Sequence, residues 1–293
     1  MGVKKMVTVE KKKKAIRSKI AAVVLLLLFV WILWGNTALE LNSYPIKSSD
    51  LPNVFHGYRI AHVSDLHNAE MGKENETLLE MIRTASPDLI CITGDMVDSN
   101  RTDIAIAVEF AKEAVTIAPC YFVTGNHEAR ISRQTYAALE EQLIRVGVSV
   151  LHDEEVILEK DGERISLIGI DDPDFAAYTV DGIAVSESLE GLGSLTADVS
   201  FTILLSHRPE LFQTYVSADV DLVLSGHAHG GQFRLPLIGG LVAPNQGLFP
   251  KYDAGLYQEA DTNMIVSRGI GNSIIPIRFN NRPEVILVEL LAE

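Results

Sequence analysis

Five times in this chain an apolar run of strand length ends in side chains that bind metals. The stretches are Ala61-His62-Val63-Ser64-Asp65-Leu66-His67, Gly94-Asp95-Met96-Val97-Asp98, Gly125-Asn126-His127-Glu128, Ser206-His207 and Gly226-His227-Ala228-His229. Six of the eight histidines lie in them, so the pattern is concentrated rather than scattered. In an extended strand, positions i and i+2 point to one side, and Asp65 and His67 are therefore expected to converge where the first strand runs out. A lone Asp-x-His also marks a capped strand end. The ordered set of five gives the pattern its weight.

Periodicity supplies the frame. Tyr58 to Ser64 reads as a strand, Glu74 to Ala85 as a helix, Asp88 to Thr93 as a strand, and Asp103 to Ile117 as a helix capped by Thr102 or Asp103. Tyr121 to Thr124 is a strand, and Ser132 to Val146 is a helix that stops at Gly147. This βαβαβ order implies parallel strands with ligands gathered at their carboxyl ends. Strands follow at Val156 to Leu158, Ile165 to Ile170, Phe201 to Leu205, Leu222 to Leu224, Met264 to Ser267 and Val285 to Leu290. Helical segments are expected near Val185 to Leu192 and Glu210 to Tyr215. The second half looks like the mirror of the first.

In this order and spacing the five motifs resemble the signature of the calcineurin-like metallophosphoesterase family, in its bacterial membrane-anchored phosphodiesterase or phosphatase type. That signature runs Asp-x-His, Gly-Asp-x-x-Asp, Gly-Asn-His-Asp/Glu, His and Gly-His-x-His, and the likeness covers roughly residues 58 to 291. It implies an α/β fold, a four-layer αββα sandwich, and a metal-dependent hydrolase of phosphoester bonds. It also implies two divalent metal ions, with Mn, Fe and Zn all compatible with His, Asn and Asp donors. By similarity, Asp65, His67 and His229 bind the first ion, Asn126, His207 and His227 the second, and Asp95 bridges them. A carboxylate with two oxygens suits bridging, and the neutral carbonyl of Asn126 keeps the ligand set from becoming too anionic. Two such ions bind the phosphoryl oxygens and activate water, which answers the repulsion that makes phosphate esters slow to hydrolyse.

His127 directly follows Asn126, and successive residues at a strand end point apart, so it is poorly placed to share the same ion. The resemblance makes it the catalytic residue that stabilises the phosphoryl group and protonates the leaving oxygen, with Asp98 orienting its ring. His62 alternates away from Asp65 and reads as a packed residue, while His56 and His152 read as surface or loop residues. Arg208 is expected to touch the phosphate or to form a surface salt bridge. Asp171, Asp172 and Asp174 read as a loop with local capping.

The N-terminus sets location. Residues 20 to 34 carry no charge and the uncharged stretch runs on to Leu39. Twenty residues at about 1.5 Å each span roughly the 30 Å hydrocarbon core of a bilayer. Eight Lys and Arg precede them within residues 1 to 19, which the positive-inside rule keeps in the cytoplasm. The expected organisation is a basic cytoplasmic segment (1–19), a transmembrane anchor (20–39), a linker (40–57) rich in Pro and Ser, and a catalytic domain (58–293) on the extracytoplasmic side. Trp31 and Trp34 would lie near the far interface. A cleaved secretory signal shares the basic start, but Asn36-Thr37-Ala38 offers a small residue at one site position only.

The formal charge of −14 conceals a split, since residues 1 to 19 hold +7 and the body about −21. A strongly acidic body argues against nucleic acid as substrate. Cys91 and Cys120 sit inside apolar runs and read as buried free thiols. The stretch from Gly230 to Leu256 is broken by glycine and proline yet rich in Phe233, Leu235, Leu237, Ile238, Leu241, Leu248 and Phe249. Following the last metal motif, it is expected beside the site, either as a packed loop or as a contact for lipid or membrane. The resulting expectation is a phosphoester substrate, lipid-linked or nucleotide-sugar in type, met at a cell membrane, with no protein partner called for. A non-catalytic membrane-tethered scaffold would be expected to lack ligands, and none is missing. A protein phosphatase matches an outward domain poorly.

Overall fold

The structure, a computed structural model, describes residues 2–176, 199–272 and 275–293. In chain order the first half runs α1 (Gly2–Thr37), β1 (Glu40–Ser48), β2 (Tyr58–Val63), α2 (Glu76–Ala85), β3 (Leu89–Thr93), α3 (Ile104–Ala114), β4 (Cys120–Val123), α4 (Asn126–Arg130), α5 (Arg133–Val146) and β5 (Ser149–Val150). The second half begins β6 (Glu154–Lys160), β7 (Glu163–Gly169), α6 (Pro173–Ala176), β8 (Thr202–Leu205), α7 (Phe212–Ser217) and β9 (Leu222–Ser225). Two short hairpins follow, β10 (Arg234–Leu235) with β11 (Gly239–Gly240) and β12 (Val242–Ala243) with β13 (Gly247–Leu248). The chain closes with β14 (Gly255–Glu259), β15 (Thr262–Val266) and β16 (Glu284–Ala292). The helical segment expected near Val185 to Leu192 lies outside the described residues.

Two six-stranded sheets result, ordered β1-β16-β2-β3-β4-β5 and β14-β15-β9-β8-β7-β6. Within the first, β2, β3, β4 and β5 run parallel, as the βαβ connections require. The sheets pack face to face through Ile60, Leu89, Cys91, Val123, Leu167, Ile203, Leu224 and Ile286. On the outer face of the first sheet, α2, α3 and α5 bury Leu78, Ile82, Phe110, Leu139 and Leu143. On the outer face of the second, Phe212 and Tyr215 of α7 pack with Tyr252 and Met264. The four layers are those expected. Cys91 and Cys120 are buried free thiols.

Local chemistry sets the helix ends. Asp103 accepts from the Ala105 N–H at 3.0 Å to start α3, and Ser132 accepts from the Thr135 N–H at 3.1 Å to start α5. Gly147, at φ 107°, ends α5 in the left-handed conformation that glycine takes without strain.

The stretch 40–57 is not a linker. Its first nine residues are β1, an edge strand paired in parallel with β16 from Glu40↔Glu284 to Ser48↔Ala292. Polar residues and Pro45 made it read as a connection, but an edge strand tolerates both, because one side of its ladder is unpaired. Ile46 is buried between the sheets, and Glu40 binds Arg268 (2.7 Å) and Arg282 (3.0 Å). The first sheet therefore begins at residue 40, with two residues between it and the end of α1. As a core residue, Ile46 should cost roughly 2–4 kcal/mol when replaced by Ala, whereas a linker position would move stability by less than about 0.5 kcal/mol. Denaturant unfolding of Ile46→Ala measures the difference.

Candidate metal centre

The residues expected as ligands lie beyond the strands rather than on them. β2 stops at Val63, and Asp65 (φ 52°) and His67 (φ 45°) lie beyond it in the left-handed region. Asp95, His227 and His229 share that conformation, at φ 52°, 63° and 48°. Convergence of Asp65 and His67 thus comes from turned backbone rather than from strand alternation. Each such non-glycine residue costs on the order of 1–3 kcal/mol, and neighbouring hydrogen bonds must hold it. The Asp65 N–H donates to Gly94 O (3.1 Å), the His67 N–H to Asp95 O (2.9 Å), and the Gly271 N–H to Asp65 O (2.7 Å). Approach is close enough to demand glycine at two points. A Cβ on Gly94 would meet Gly125 and His207 at 2.7 Å, and one on Gly226 would collide with Ser64 and Asp65.

Two buried clusters of donor atoms form, Asp65, His67, Asp95 and His229 in one and Asp95, His207 and His227 in the other. In the first, the His67 and His229 Nε2 atoms are 3.2 Å apart, and Asp65 Oδ1 lies 3.7 Å and 3.4 Å from them. In the second, His207 Nε2 lies 3.2 Å from His227 Nδ1. Asp95 joins them through one oxygen, since Oδ2 is 3.5 Å from His67 Nε2 and 3.2 Å from His207 Nε2. Its other oxygen, Oδ1, accepts the His127 N–H at 2.7 Å. The bridge expected of two oxygens is thus offered by one.

Asn126 sits beside the second cluster, its side-chain oxygen 2.7 Å from His227 Nδ1. The amide has two settings. With Nδ2 toward His227 it donates a hydrogen bond, and with Oδ1 toward His227 two lone pairs face one point, which is the setting that ligation requires. His207 donates its Nδ1–H to Thr93 O at 2.7 Å, which leaves the Nε2 lone pair directed at Asp95 and the cluster. Acceptors crowded on common points, with the outer nitrogen of His207 tied to a carbonyl, fit divalent metal ions. Asp, His and Asn donors are the hard and borderline set that such ions take.

Electrostatics agree with that fit. Burial works to raise Asp65 and Asp95. The rings of His229, His67 and His207 around the first, and of His207, His67 and His127 around the second, outweigh it and hold both carboxyls below the usual range. Burial pushes His229 down to about 3 and His227 well below its ordinary value. Burial also works to lower His207, but Asp95, Asp65 and Asp172 override it and raise the ring to about 10. A metal ion competes with that proton for one lone pair, so the same carboxylates that hold the proton favour a cation.

His127 packs edge-on against the His67 ring, centroids 4.4 Å apart. Asp98, expected to orient it, approaches its Nδ1 only to 3.9 Å, beyond hydrogen-bond reach. The Ser99 N–H donates to Nδ1 instead, at 2.9 Å. That bond fixes the tautomer with the proton on Nε2. Burial also lowers the His127 pKa, although Asp95 works to raise it, so the ring is held neutral. Asp98 spends its carboxylate on Asn100 N (2.8 Å) and Arg101 Nη2 (3.3 Å), and so shapes the loop that carries Ser99.

Two residues behind the ligands had no role assigned from sequence. Glu128 is buried and accepts from the N–H groups of Asp95 (2.8 Å), Val97 (3.2 Å) and Gly125 (2.8 Å), tying two motif loops together. Burial and the Asp95 charge push it up to about 7 against those three bonds. Its place in Gly-Asn-His-Glu was the available signal. Arg278, fully buried, donates to the carbonyls of Arg268 (2.7 Å) and Gly271 and to Asn272 Oδ1 (3.0 Å), clamping the loop behind Asp65. Nothing in its sequence context marks it.

The remaining expectations divide. His62 is packed, bonded to Thr93 Oγ1 at 2.7 Å. His152 is not a free surface residue, because it lies between Asp171 (2.9 Å) and Glu140 (3.0 Å), and the bond to Asp171 leads in raising it to about 9. Asp172 does more than cap its loop, since both its oxygens take the buried Arg208, which also lies 3.3 Å from His227 Nε2. Arg208 is therefore a buried partner of acids beside the ligand shell rather than a surface salt bridge.

Comparison with known proteins agrees with this geometry. The sequence model described as calcineurin-like phosphoesterase matches residues 58–231. The chain is 31% identical to the uncharacterized metallophosphoesterase YkuE of Bacillus subtilis over 86% of this chain and 85% of that one. It is 33% identical to the transmembrane protein with metallophosphoesterase domain of Bos taurus, over 83% of this chain and 55% of the bovine protein. Among solved structures, the sulfate thiohydrolase SoxB of Thermus thermophilus aligns with a TM-score of 0.52 at 12% identity, covering 82% of this chain and 57% of that one, which is a likeness of fold.

Because Asp95 Oδ2 serves both clusters, Asp95→Ala should lower bound divalent metal more than the replacement of any single-cluster ligand such as His229→Ala. Elemental analysis after mild dialysis reads the result, and equal metal content in the two variants would remove the shared role.

Proposed function

Because the chain belongs to the calcineurin-like phosphoesterase family and is a metal-dependent phosphoesterase, we propose that it works as a membrane-anchored hydrolase with two divalent ions. Its proposed substrates are lipid-linked or nucleotide-sugar phosphoesters on the extracytoplasmic side. The observation that carries this reading is the pair of donor clusters sharing Asp95, lying behind His127 at a cavity of about 580 Å³. Arg101, Arg130, His127, Asp98 and Pro276 line that cavity. Two arginines and a histidine N–H suit an anionic phosphoryl group.

The bound ions supply charge neutralisation and a more acidic water. The chain supplies orientation. Asp65, His67 and His229 hold one position, and Asn126, His207 and His227 the other. With Ser99 N–H on Nδ1, the proton of His127 lies on Nε2, the proposed donor to the phosphoryl or leaving oxygen. Asp98 acts on His127 through the Ser99 loop and is a positioning residue. Replacing His127 by Ala should lower turnover by about 10²–10⁴-fold while sparing metal content. Activated p-nitrophenyl esters should lose less than alkyl esters, because their leaving oxygen needs little stabilisation. Equal losses on the two ester types would remove the leaving-oxygen role.

Location rests on α1. Lys13–Thr37 is long and apolar enough to cross a membrane, and its most apolar stretch is not buried against the domain. Eight basic residues precede its apolar part, whereas residues 35 to 55 hold only Lys47 as a positive charge. Carrying that basic cluster across would be costly, so the domain is proposed to face outward. A reporter active only outside the cytoplasm, fused after Glu293, should be active in intact cells, and external protease should reach the domain. Protection of the domain until lysis would overturn the orientation.

A further inference from the structure

The end of α1 and the wall of the cavity belong to one short segment. Asn36, in the last turn of α1, donates from Nδ2 to Arg278 O (3.0 Å) and accepts at Oδ1 from the Arg278 N–H (2.8 Å). Arg282 lies 4.7 Å over the Trp34 ring and donates to the carbonyls of Ala38 (2.8 Å) and Leu39 (2.9 Å). Two residues before Arg278, Pro276 lines the cavity. The buried Arg278 side chain donates to Gly271 O, and the Gly271 N–H donates to Asp65 O. A continuous set of hydrogen bonds thus joins the helix end to a metal ligand.

The same region presents apolar side chains to the outside. Ile275 and Ile277 flank Pro276 and are exposed, while their carbonyls take the Gln232 amide at 2.8 Å each. Phe233 bridges Phe279, and the Arg234 N–H donates to Phe279 O at 3.0 Å, which ties the first hairpin to this segment, while the Phe249 N–H donates to Leu241 O (2.9 Å) and holds the second beside the first. Beyond these ties the first hairpin projects Leu237, fully exposed at 108%, and Ile238 at 60%. The second projects Leu248 at 70% and Phe249 at 60%. An apolar set of this kind on one side of a domain marks a surface that something covers.

We propose that Leu237, Ile238, Leu248, Phe249, Ile275 and Ile277 dock into the bilayer that α1 crosses, so that the cavity is held at the depth of lipid headgroups. Continuity names the occupant. The patch runs on from the end of an apolar helix carrying Trp31 and Trp34, residues that favour the membrane interface. Two residues of chain reach at most about 7 Å and each headgroup zone is roughly 5–8 Å deep, so with Asn36 bonded to Arg278 at the membrane edge, Pro276 is kept close to the headgroups. The clamp at Arg278 fixes this setting, and a phosphoester at the membrane surface meets the metal centre without leaving its leaflet. Residues 230 to 256, expected beside the site, would then do their work through their tips.

The proposal rests on α1 being a retained anchor, and the experiment separates the two. Full-length chain carrying a nitroxide at Leu237→Cys, Phe249→Cys or Ile277→Cys is placed in phosphatidylglycerol/phosphatidylethanolamine vesicles. A label at Ile144→Cys, in the last turn of α5 at the amino ends of the strands, is the control, since the ligands lie at the carboxyl ends. Spin-label collisions with oxygen and with a water-soluble nickel chelate read depth. The first three labels should favour oxygen over the chelate by about tenfold relative to Ile144→Cys, because the chelate is excluded from hydrocarbon. If all four labels behave alike in chain that resists alkaline carbonate extraction, the anchor stands and the docking surface is wrong, leaving a protein partner as the cover. If carbonate extracts the chain, the anchor reading fails and the proposal falls with it.

Discussion

Everything near the centre of this molecule depends on one carboxylate oxygen, Oδ2 of Asp95, facing imidazoles from two directions within a buried site. Unpaired, a buried charge of this kind would be expelled or neutralised. Here His67 and His207 lie within 3.5 Å of it, and the backbone N–H of His127 holds its companion oxygen. The arrangement keeps the carboxyl ionised and creates two donor sets with a common member. Neighbouring carboxylates raise one ring to about 10 while burial drives another to about 3, so charge and exclusion from solvent tune the site together.

Holding that geometry requires backbone that is unfavourable by itself. Five ligand residues lie at positive φ, and no side chain among them gains from it locally. The return comes from elsewhere, through Glu128 spanning three backbone N–H groups, Arg278 pinning the loop behind Asp65, and glycines that let the motif loops touch. Strain concentrated at ligands and held by buried polar bonds is the usual mark of a functional site. It also accounts for the mismatch over Asp98, because Ser99, one residue on, offers the His127 ring a backbone donor that needs no side-chain entropy to place.

Arg278 links this centre to the rest of the chain. Its guanidinium serves the loop behind the ligands, and its backbone serves the end of the N-terminal helix. The first sheet is closed on that side by β1, entered two residues after α1 ends, with Glu40 bonded to Arg268 and Arg282. The N-terminal helix end, the sheet edge and the loop behind Asp65 are therefore joined by direct hydrogen bonds and ion pairs.

Sequence alone determined the layered α/β frame, the family, and which residues carry the metal-binding side chains that gather in the two donor clusters, because those depend on short-range facts. Apolar period, capping residues at Asp103, Ser132 and Gly147, and side chains with metal-binding chemistry are all legible along the chain. Tertiary structure decided what depends on distant partners. Residues 40 to 48 became a strand only because β16, more than 200 residues later, offered a free edge to a polar segment. His152 and Asp172 acquired ion partners from other elements, and Asp98 lost the ring it was expected to hold. The left-handed turns that aim Asp65 and His67 could not be read from Asp-x-His, since the same letters suit an extended strand end. Only contacts from Gly94, Asp95 and Gly271 select the turned form, and those contacts exist once both sheets have packed.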